Sequence, residues 1–452
     1  MQTIAICTLG CKLNQAEAEE LKEKFEERGL KIVEPFQKAD FYIIKACAVT
    51  QKAEKETRQL ISRIKRMFPK TYLIVIGCFT SILRLDREFI GKVDKWIDNK
   101  NKEKTDKLIL GQILKKKKGK DELKKRTRAF IKIQDGCRNY CSYCIVPYLR
   151  KEISNKPPQK IIQEIKNREK NGCQEIVLVG TNIGNYQIGK YDLKDLLREI
   201  LDKTAIKRIR LTSFWPTLIN PEFVKLIQNN PRICPHIHLS IQSASTEVLK
   251  KMNRPYSRQE LEKIIKQLKQ IKDINLTADI IVGFPGESEK DFQETYNFVK
   301  SSQFLKIHVF KFSARPGTKA SLVEDEISDK IKKIRSNKLI KLGEKLSEKQ
   351  RKIFINSTSE ALIENKRSEY WQGYTPNYLK VFLRPVRSSS GSSLYKKSKG
   401  EAAFAALSDF KKENLRQTSD GVKSPQNLTN QIVKVKLVKF YQDGFMGKLI
   451  SL

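Results

Sequence analysis

Hydrophobic and polar positions in the first hundred residues alternate between short apolar runs and segments with helical spacing. The apolar runs at residues 3–9, 41–46 and 72–77 predict three strands. Helical spacing begins at Asn14 and again after Thr50, a residue type that often caps a helix. This order of elements predicts a βαβαβ unit, so we expect the three strands to be parallel.

A longer version of the same alternation follows residue 128. Apolar runs predict six strands, at residues 129–134, 175–180, 208–213, 236–242, 276–283 and 306–312. The gaps between them hold helical patterns, at residues 159–169, 193–201, 221–228, 247–271 and 291–301. Six βα units in this order predict a partial (βα)6 barrel, whose functional face is at the C-terminal ends of its strands.

The last part of the chain predicts a basic helix and a small all-β barrel. The helix is expected at residues 327–352. Its apolar side would hold Ile331, Ile334, Leu342 and Leu346. Strands are expected at residues 378–383 and 431–440, on either side of a Ser- and Lys-rich insertion at about 387–430. We expect that insertion to be disordered or poorly packed. Barrels of this size often bind single-stranded nucleic acid.

The chain is therefore predicted to be an α/β protein with three domains and one linker. An N-terminal parallel βαβ domain would occupy residues 1–112 and the central barrel residues 129–352. The small C-terminal barrel, with its insertion, would occupy residues 353–452. Between the first two domains, residues 113–128 form a basic linker: over residues 100–128, 13 Lys and Arg stand against 4 acidic residues.

Charge and cysteine content indicate the surroundings and the partner. Lys and Arg number 89 against 51 Asp and Glu, for a formal net charge of +38, which favours a polyanionic partner such as RNA. A generally lysine-rich composition would give the same excess. Apolar runs fall short of the ~20 residues of a membrane span, and the start of the chain predicts a strand, so we expect no membrane segment and no signal peptide. Nine cysteines are too sparse for a disulfide scaffold, which favours a reducing cytoplasm.

Three cysteines follow the three N-terminal strands. Cys11, Cys47 and Cys78 each lie just past one of them, and the C-terminal ends of parallel strands lie at one edge of a sheet. We therefore expect the three thiols to converge on one site, although three unrelated buried cysteines would show the same spacing. The other cysteines outside motifs, Cys7, Cys173 and Cys234, are interpreted as structural.

A second cysteine set occupies the loop after the first barrel strand. Cys137, Cys141 and Cys144 lie within eight residues, but a tetrahedral zinc site takes four ligands and the chain has only three histidines, all distant in sequence. A cubane iron–sulfur cluster with three thiolates keeps one iron open, and the amino and carboxylate groups of S-adenosylmethionine can bind there. A zinc knuckle or a chance cluster is the alternative.

The spacing C-x3-C-x2-C, with Tyr143 before the last cysteine, resembles the signature of the radical S-adenosylmethionine superfamily. Residues 9–15, 47–50 and 77–78 are similar to the three cysteine motifs of the methylthiotransferase N-terminal domain. Within that family, residues 10–15, 234–243 and 308–318 are most similar to the branch acting on N6-threonylcarbamoyladenosine in tRNA. Residues 373–378 resemble the entry of a TRAM domain, an RNA-binding module.

This resemblance implies a radical methylthiotransferase with two 4Fe–4S clusters, one on each cysteine set, and two S-adenosylmethionine molecules per turnover. One of these methylates a sulfur on the auxiliary cluster; the other gives a 5′-deoxyadenosyl radical that takes hydrogen from C2 of the adenine, which then receives the methylthio group. The implied partner is tRNA, at the adenosine 3′ of the anticodon, with an unidentified electron donor and an unknown sulfur donor. Alternatives are the isopentenyladenosine branch, the ribosomal-protein aspartate branch, and a non-catalytic iron–sulfur RNA-binding protein.

Five further residues are candidate contacts of the cofactor. Tyr143 lies inside the cysteine motif, Gly180 and Asn182 end the second barrel strand, and Gln242 and Ser243 end the fourth. A core aromatic and ordinary turn residues would explain them equally well.

The sequence also departs from the family pattern. Residues 149–154 keep the usual Arg but lack the Gly after it, residues 45–46 and 244 differ, and the insertion interrupts the C-terminal barrel. These departures bear on substrate positioning and RNA affinity, while both cysteine sets are intact.

Overall fold

The structure is a computed structural model that describes residues 2–80, 89, 91–99, 105–113, 127–384 and 427–451. The predicted linker and the predicted insertion lie mostly outside the described residues. Two compact units divide the chain, the first comprising Met1–Phe354 with Pro376–Tyr378 and the second Ile355–Thr375 with Leu379–Leu452. The boundaries of the four predicted segments stay predictions.

The first unit begins with a five-stranded, fully parallel sheet. Its strands are β1 (Thr3–Thr8), β2 (Lys31–Val33), β3 (Phe41–Ala46), β4 (Tyr72–Gly77) and β5 (Lys95–Asp98), in the order β2-β1-β3-β4-β5. The helices are α1 (Lys12–Glu26), α2 (Gln51–Met67) and α3 (Thr105–Ile113). Apolar side chains are buried on both faces of the sheet, which is typical of parallel strands between helical layers.

The six predicted barrel strands are present and parallel. They are β6 (Arg128–Lys132), β9 (Glu175–Val179), β12 (Arg208–Leu211), β13 (His236–Gln242), β14 (Asn275–Val282) and β15 (Lys306–Lys311). Two isolated parallel bridges, Ile209 to Ile233 and Phe214 to Leu239, join the two three-stranded halves. Short pairs form at β7 (Gln134–Asp135) with β8 (Ser154–Asn155), and β10 (Gln187–Ile188) with β11 (Tyr191–Asp192). The partial barrel is confirmed.

Helices cover the outside of this barrel and bury its core against the strands. The short α4 (Val146–Leu149) contributes no residue to this core, and its Leu149 packs instead against the core of the N-terminal sheet. The covering helices are α5 (Pro158–Lys170), α6 (Leu193–Lys203), α7 (Pro221–Gln228), α8 (Thr246–Lys251), α9 (Arg258–Leu268), α10 (Glu289–Ser302) and α11 (Asp329–Lys352). On the open side, Leu13 and Ala16 of α1 pack against Val177 and Val179 of β9. This packing brings the carboxyl edge of the N-terminal sheet to the barrel.

Two helix predictions are wrong in detail. The predicted helix 247–271 is two helices, α8 and α9, because Asn253 has a left-handed backbone (φ 56°) and Pro255 follows it. In α11, Leu342 and Leu346 are buried, but Ile331 and Ile334 are 42% and 47% exposed. Arg335 is buried there instead, because it pairs with Glu287 at 2.7 Å.

The second unit is a closed barrel of five strands. They are β16 (Thr358–Arg367), β17 (Tyr370–Tyr374), β18 (Lys380–Leu383), β19 (Ile432–Tyr441) and β20 (Gly444–Ser451), in the order β16-β17-β18-β20-β19. In β19, Val433, Val435 and Leu437 are buried and the lysines between them are exposed, as the alternation predicts. The predicted α/β class with a small all-β barrel is confirmed. In the described part of the chain, no helix is long and apolar enough to cross a membrane.

Candidate active site

The three N-terminal cysteines lie at neighbouring strand ends. Cys47 and Cys78 directly follow β3 and β4, and Cys11 is the residue before α1, three residues past β1. Because β3 lies between β1 and β4 in the sheet, the three positions share one edge. Cys47 and Cys78 are buried, and Cys11 is exposed.

Close packing around Cys47 shows that these thiols approach one another. Gly10 has φ +93°, and a Cβ at this position would lie 2.7 Å from Cys47 Sγ, so only glycine fits beside that sulfur. The pKa of the Cys47 thiol is raised to about 11, chiefly by burial and also by the nearby Cys11 and Cys78. The three thiols therefore lie close enough to interact electrostatically, although among the described residues they are not close enough together to hold a single metal ion. Their role as ligands of one cluster stays a proposal.

The side-chain amide of Asn14 connects the backbones that carry these cysteines. Its nitrogen donates to the carbonyl of Leu9 at 2.9 Å and to that of Ala46, the residue before Cys47, at 3.3 Å. Its oxygen accepts a 3.3 Å hydrogen bond from Arg150. Asn14 is 1% exposed, so it forms these bonds out of water and fixes the relative position of the loops.

Positively polarised groups surround the same sulfurs. The side-chain nitrogen of Asn99 and the Nε of Arg150 donate to Cys78 Sγ at 3.0 and 3.3 Å. Arg315, which follows β15 and is 3% exposed, pairs with Glu54 of α2 and lies close enough to Cys47 for the two groups to interact electrostatically. Donors and cations at sulfur are what a thiolate-ligated cluster needs from its protein, so the residues fit the predicted group.

The second cysteine set occupies the loop between β7 and α4. Gly136, with φ +80°, begins this loop, and a Cβ there would meet the carbonyl oxygen of Glu152 at 2.0 Å. Cys141 is buried and Cys137 and Cys144 are half-buried. The pKa of the Cys144 thiol is raised to about 12, chiefly by burial and also by Cys141 and Cys137, so these three thiols lie close enough to interact electrostatically. A bound cluster would supply the positive charge that a buried thiolate lacks.

Sequence reasoning missed one arginine at this loop. Arg254, in the break between α8 and α9, donates to Cys141 Sγ at 3.5 Å. Its guanidinium carbon lies 4.0 Å from the centre of the Trp215 ring, and its Nε donates to the hydroxyl of Tyr256 at 2.7 Å. The sequence did contain a signal for this residue: Arg254 lies between two residues that disfavour a helix, Asn253 and Pro255, and has no acidic neighbour in sequence.

The predicted cofactor contacts divide into two kinds. Asn182 is 2% exposed, and both polar atoms of its side chain are buried without a hydrogen-bond partner, as expected of a group that awaits a ligand. Ser243 is 1% exposed but bonds to Thr295 at 3.2 Å and accepts from the backbone of Ser245, so it serves the turn.

The remaining three predicted contacts are also placed. The Tyr143 ring packs against the apolar cluster that contains Phe284 and Phe312. Gly180 lies against Gln134, where a Cβ would approach to 3.0 Å, and Gln242 has a left-handed backbone at the bulge of β13. These contacts neither support nor contradict binding of the cofactor by Tyr143, Gly180 and Gln242, so that role stays a prediction.

All three histidines of the chain lie on β13 and β15, and Lys12 of α1 and Asp279 of β14 lie near them. The ring of His238 bonds to Thr277 at 2.9 Å and to Asp279 at 3.1 Å, and its centre is 5.7 Å from that of His308. Burial, followed by Arg210 and Arg128, lowers the pKa of Lys12 to about 8. Among the described residues, no three His, Cys, Asp or Glu groups are placed to hold one metal ion.

Comparisons with known proteins define the class first. Residues 131–299 match the family model described as the radical SAM superfamily, and residues 3–98 match that described as the uncharacterized protein family UPF0004. A solved radical S-adenosylmethionine methyltransferase, TsrM from Kitasatospora setae, has a TM-score of 0.54 over 71% of this chain and 75% of its own. At 12% identity, that likeness shows the fold alone.

Curated relatives then define the family. The threonylcarbamoyladenosine tRNA methylthiotransferase MtaB of Bacillus subtilis is 33% identical over 86% of this chain and 92% of its own length. MtaB of Thermotoga maritima is 35% identical over 80% and 87%. The tRNA-2-methylthio-N(6)-dimethylallyladenosine synthase of Endomicrobium trichonymphae is 32% identical over 83% and 92%. The chain belongs to the radical S-adenosylmethionine methylthiotransferase family, whose members use S-adenosylmethionine and 4Fe–4S clusters.

Proposed function

We propose that this enzyme transfers a methylthio group to C2 of N6-threonylcarbamoyladenosine, 3′ of the anticodon in tRNA. The choice of substrate is supported mainly by the 33% identity with the Bacillus subtilis MtaB over 92% of that protein. Three further MtaB proteins, at 32–35% identity, support the assignment. The cysteine loops of one compact unit, at the ends of two adjoining parallel sheets, support the chemistry.

Each cysteine set would hold one 4Fe–4S cluster, with Cys137, Cys141 and Cys144 at the barrel and Cys11, Cys47 and Cys78 at the N-terminal sheet. When bound, the clusters and two S-adenosylmethionine molecules per turnover supply a carbon-centred radical and the methylthio group. The protein holds the thiols out of water, and its arginines donate to a sulfur in each set. Asn182 offers an unused amide on the barrel side.

Charge supports an RNA partner. The formal net charge of +38 attracts a polyanion, and the closed barrel of the second unit has the architecture of small nucleic-acid-binding barrels. The tRNA anticodon loop is the proposed partner, and a tRNA substrate agrees with the predicted cytoplasmic location. The electron donor and the sulfur donor are unidentified protein or small-molecule partners.

A second substrate has comparable support. Relatives named tRNA-2-methylthio-N(6)-dimethylallyladenosine synthase are 32–33% identical over 79–83% of this chain. Nucleoside mass spectrometry of tRNA from a strain lacking this chain separates the two. We expect loss of the 2-methylthio form of N6-threonylcarbamoyladenosine and accumulation of its precursor. Loss of the methylthiolated dimethylallyladenosine instead would establish the second substrate.

A further inference from the structure

Five charged side chains form a buried network at the boundary between the N-terminal sheet and the barrel. We call this set the buried ion network. Its members, with the exposed fraction of each side chain, are Glu17 (8%), Lys45 (5%), Lys132 (17%), Asp135 (1%) and Arg150 (3%). Charged groups this deeply buried are stable only when they are paired, so the contacts of each determine the position of the others.

The ion pairs of the network join the two cysteine-bearing parts of the first unit. Glu17 of α1 accepts from Arg150 at 2.8 Å and pairs with Lys45 at 2.6 Å and Lys132 at 2.7 Å. Asp135 of β7 accepts from Arg150 at 2.8 Å and pairs with Lys132 at 2.9 Å. Glu17 and Lys45 belong to the N-terminal sheet region, and the other three belong to the barrel.

Arg150 also contacts both cysteine sets directly. Its Nε donates to Cys78 Sγ at 3.3 Å, while its carbonyl oxygen accepts from the backbone N–H of Cys137 at 3.4 Å. Asp135, which holds the guanidinium, lies two residues before Cys137 and accepts from the backbone of Gly136 at 2.8 Å. Arg150 therefore connects Cys78 with the start of the loop that carries Cys137, Cys141 and Cys144, which we call the radical loop.

We propose that Arg150 is a positioning residue that orients Cys78 as a cluster ligand and holds the auxiliary site (Cys11, Cys47 and Cys78) and the radical loop in a fixed relative position. The proposal rests on the proposed function, in which Cys78 binds the auxiliary cluster. A lysine cannot replace it fully, because a single ammonium group lacks the planar fork that contacts two carboxylates, an amide and a sulfur together.

The test uses the full chain with the radical loop disabled, as the triple variant C137A/C141A/C144A. This parent should retain about four irons per chain after anaerobic reconstitution, all of them at the auxiliary site. Adding R150Q should make iron loss to a chelator about 10-fold faster or more, which is the usual cost of removing a group that orients a metal ligand. Adding R150K should retain more iron but shift the reduction potential of the cluster downward, because fewer hydrogen bonds reach its sulfur.

A matched control separates this role from simple docking of the two parts. Arg168 of α5 also joins the barrel to α1, through Glu23 at 2.7 Å, but among the described residues its guanidinium donates to no cysteine sulfur. Its backbone carbonyl accepts from the N–H of Cys173, a contact that R168Q leaves in place. R168Q in the same parent should keep the iron retention and potential of the parent. If R150Q matches R168Q in both measurements, the proposal is overturned.

Folding and the substrate are controlled separately. Thermal unfolding of the variants followed by circular dichroism shows whether R150Q folds; if it does not, the potential measured for R150K decides, and a value equal to that of the parent overturns the proposal. The assay contains no tRNA, so a wrong substrate leaves it unaffected. A parent that binds no iron would instead overturn the auxiliary site itself, and with it the proposed function.

Discussion

The two cysteine sets reach similar surroundings by different routes. Cys137, Cys141 and Cys144 are local, on one loop whose backbone positions them, whereas Cys11, Cys47 and Cys78 depend on the order β1-β3-β4 in a parallel sheet. In both sets one arginine donates to a sulfur, Arg254 to Cys141 and Arg150 to Cys78. A short motif can thus define one site by itself, while the other site exists only if the sheet forms in the right order.

Removing one cysteine from each set should break the comparison most strongly. C141A should abolish formation of 5′-deoxyadenosine from S-adenosylmethionine and leave about four irons per chain, against about eight in the unchanged protein. C47A should keep about four irons and should still form 5′-deoxyadenosine, but should give no methylthiolated tRNA. Iron and sulfide analysis with chromatography of the nucleoside products measures both. If neither variant forms 5′-deoxyadenosine and the unchanged chain also forms none, the non-catalytic RNA-binding alternative is established.

The next largest effect is expected from replacing the two glycines that lie beside the cysteine sets, Gly10 and Gly136. G10A introduces a Cβ 2.7 Å from Cys47 Sγ at φ +93°, and G136A introduces one 2.0 Å from the Glu152 carbonyl at φ +80°. Each should lower the free energy of unfolding by about 1–3 kcal/mol from backbone strain alone. Each should also release iron from its own site only, as measured by denaturant unfolding with iron analysis.

Gly189 provides the control for these substitutions, because it has φ +60° but open space where a Cβ would lie. G189A should show the strain cost without loss of iron. Equal iron loss in all three variants would contradict the assignment of Gly10 and Gly136 to the two sites.

High pH should lower the stability of the metal-free protein through Cys47, which is a smaller effect. Burial raises the pKa of Cys47 to about 11 from an ordinary 9.0, so the folded state disfavours its thiolate. The stability that this provides is complete below pH 9 and is lost as pH rises from about 9 to about 11, at roughly 1.4 kcal/mol per unit of pKa difference. Denaturant unfolding of metal-free protein at pH 8 and pH 11 measures the loss. C47S should show a shallower loss, and an unchanged slope would contradict the burial effect.

The positions of several strands could be predicted well from the sequence. The bounds of β3, β4 and β13 agree with the predicted ranges, because long apolar runs end there at a Cys, a Gly or a polar residue. The three-residue β2 was not predicted, since it is partly exposed and too short to show a period. The break between α8 and α9 was also missed, because apolar spacing continues across it.

The cysteines were predictable as two sets, but their surroundings were not. Spacing and strand ends identify Cys11, Cys47 and Cys78, since parallel topology alone brings them to one edge. Arg150 was visible in the sequence only as the usual Arg of the family pattern at residues 149–154, with no indication of its partners. Its contacts with Glu17 and Cys78 join positions 133 and 72 residues apart, which depend on how α1 packs on the barrel and on no local pattern.

The smallest effect is expected from a comparison of two predicted cofactor contacts in the barrel, Asn182 and Ser243. Asn182 has both polar atoms of its side chain unpartnered, whereas Ser243 spends its hydroxyl on Thr295 and Ser245. N182A should therefore leave the free energy of unfolding nearly unchanged and raise the S-adenosylmethionine concentration at half-maximal 5′-deoxyadenosine formation.

S243A should do the reverse, with a stability loss of about 1 kcal/mol and an unchanged half-maximal concentration, because it removes hydrogen bonds that hold the turn. Denaturant unfolding and initial-rate measurements on the same preparations separate the two effects. A loss of stability in N182A without a change in S-adenosylmethionine dependence would show that the buried amide serves the fold. Asn182 would then be an ordinary turn residue at the end of the second barrel strand.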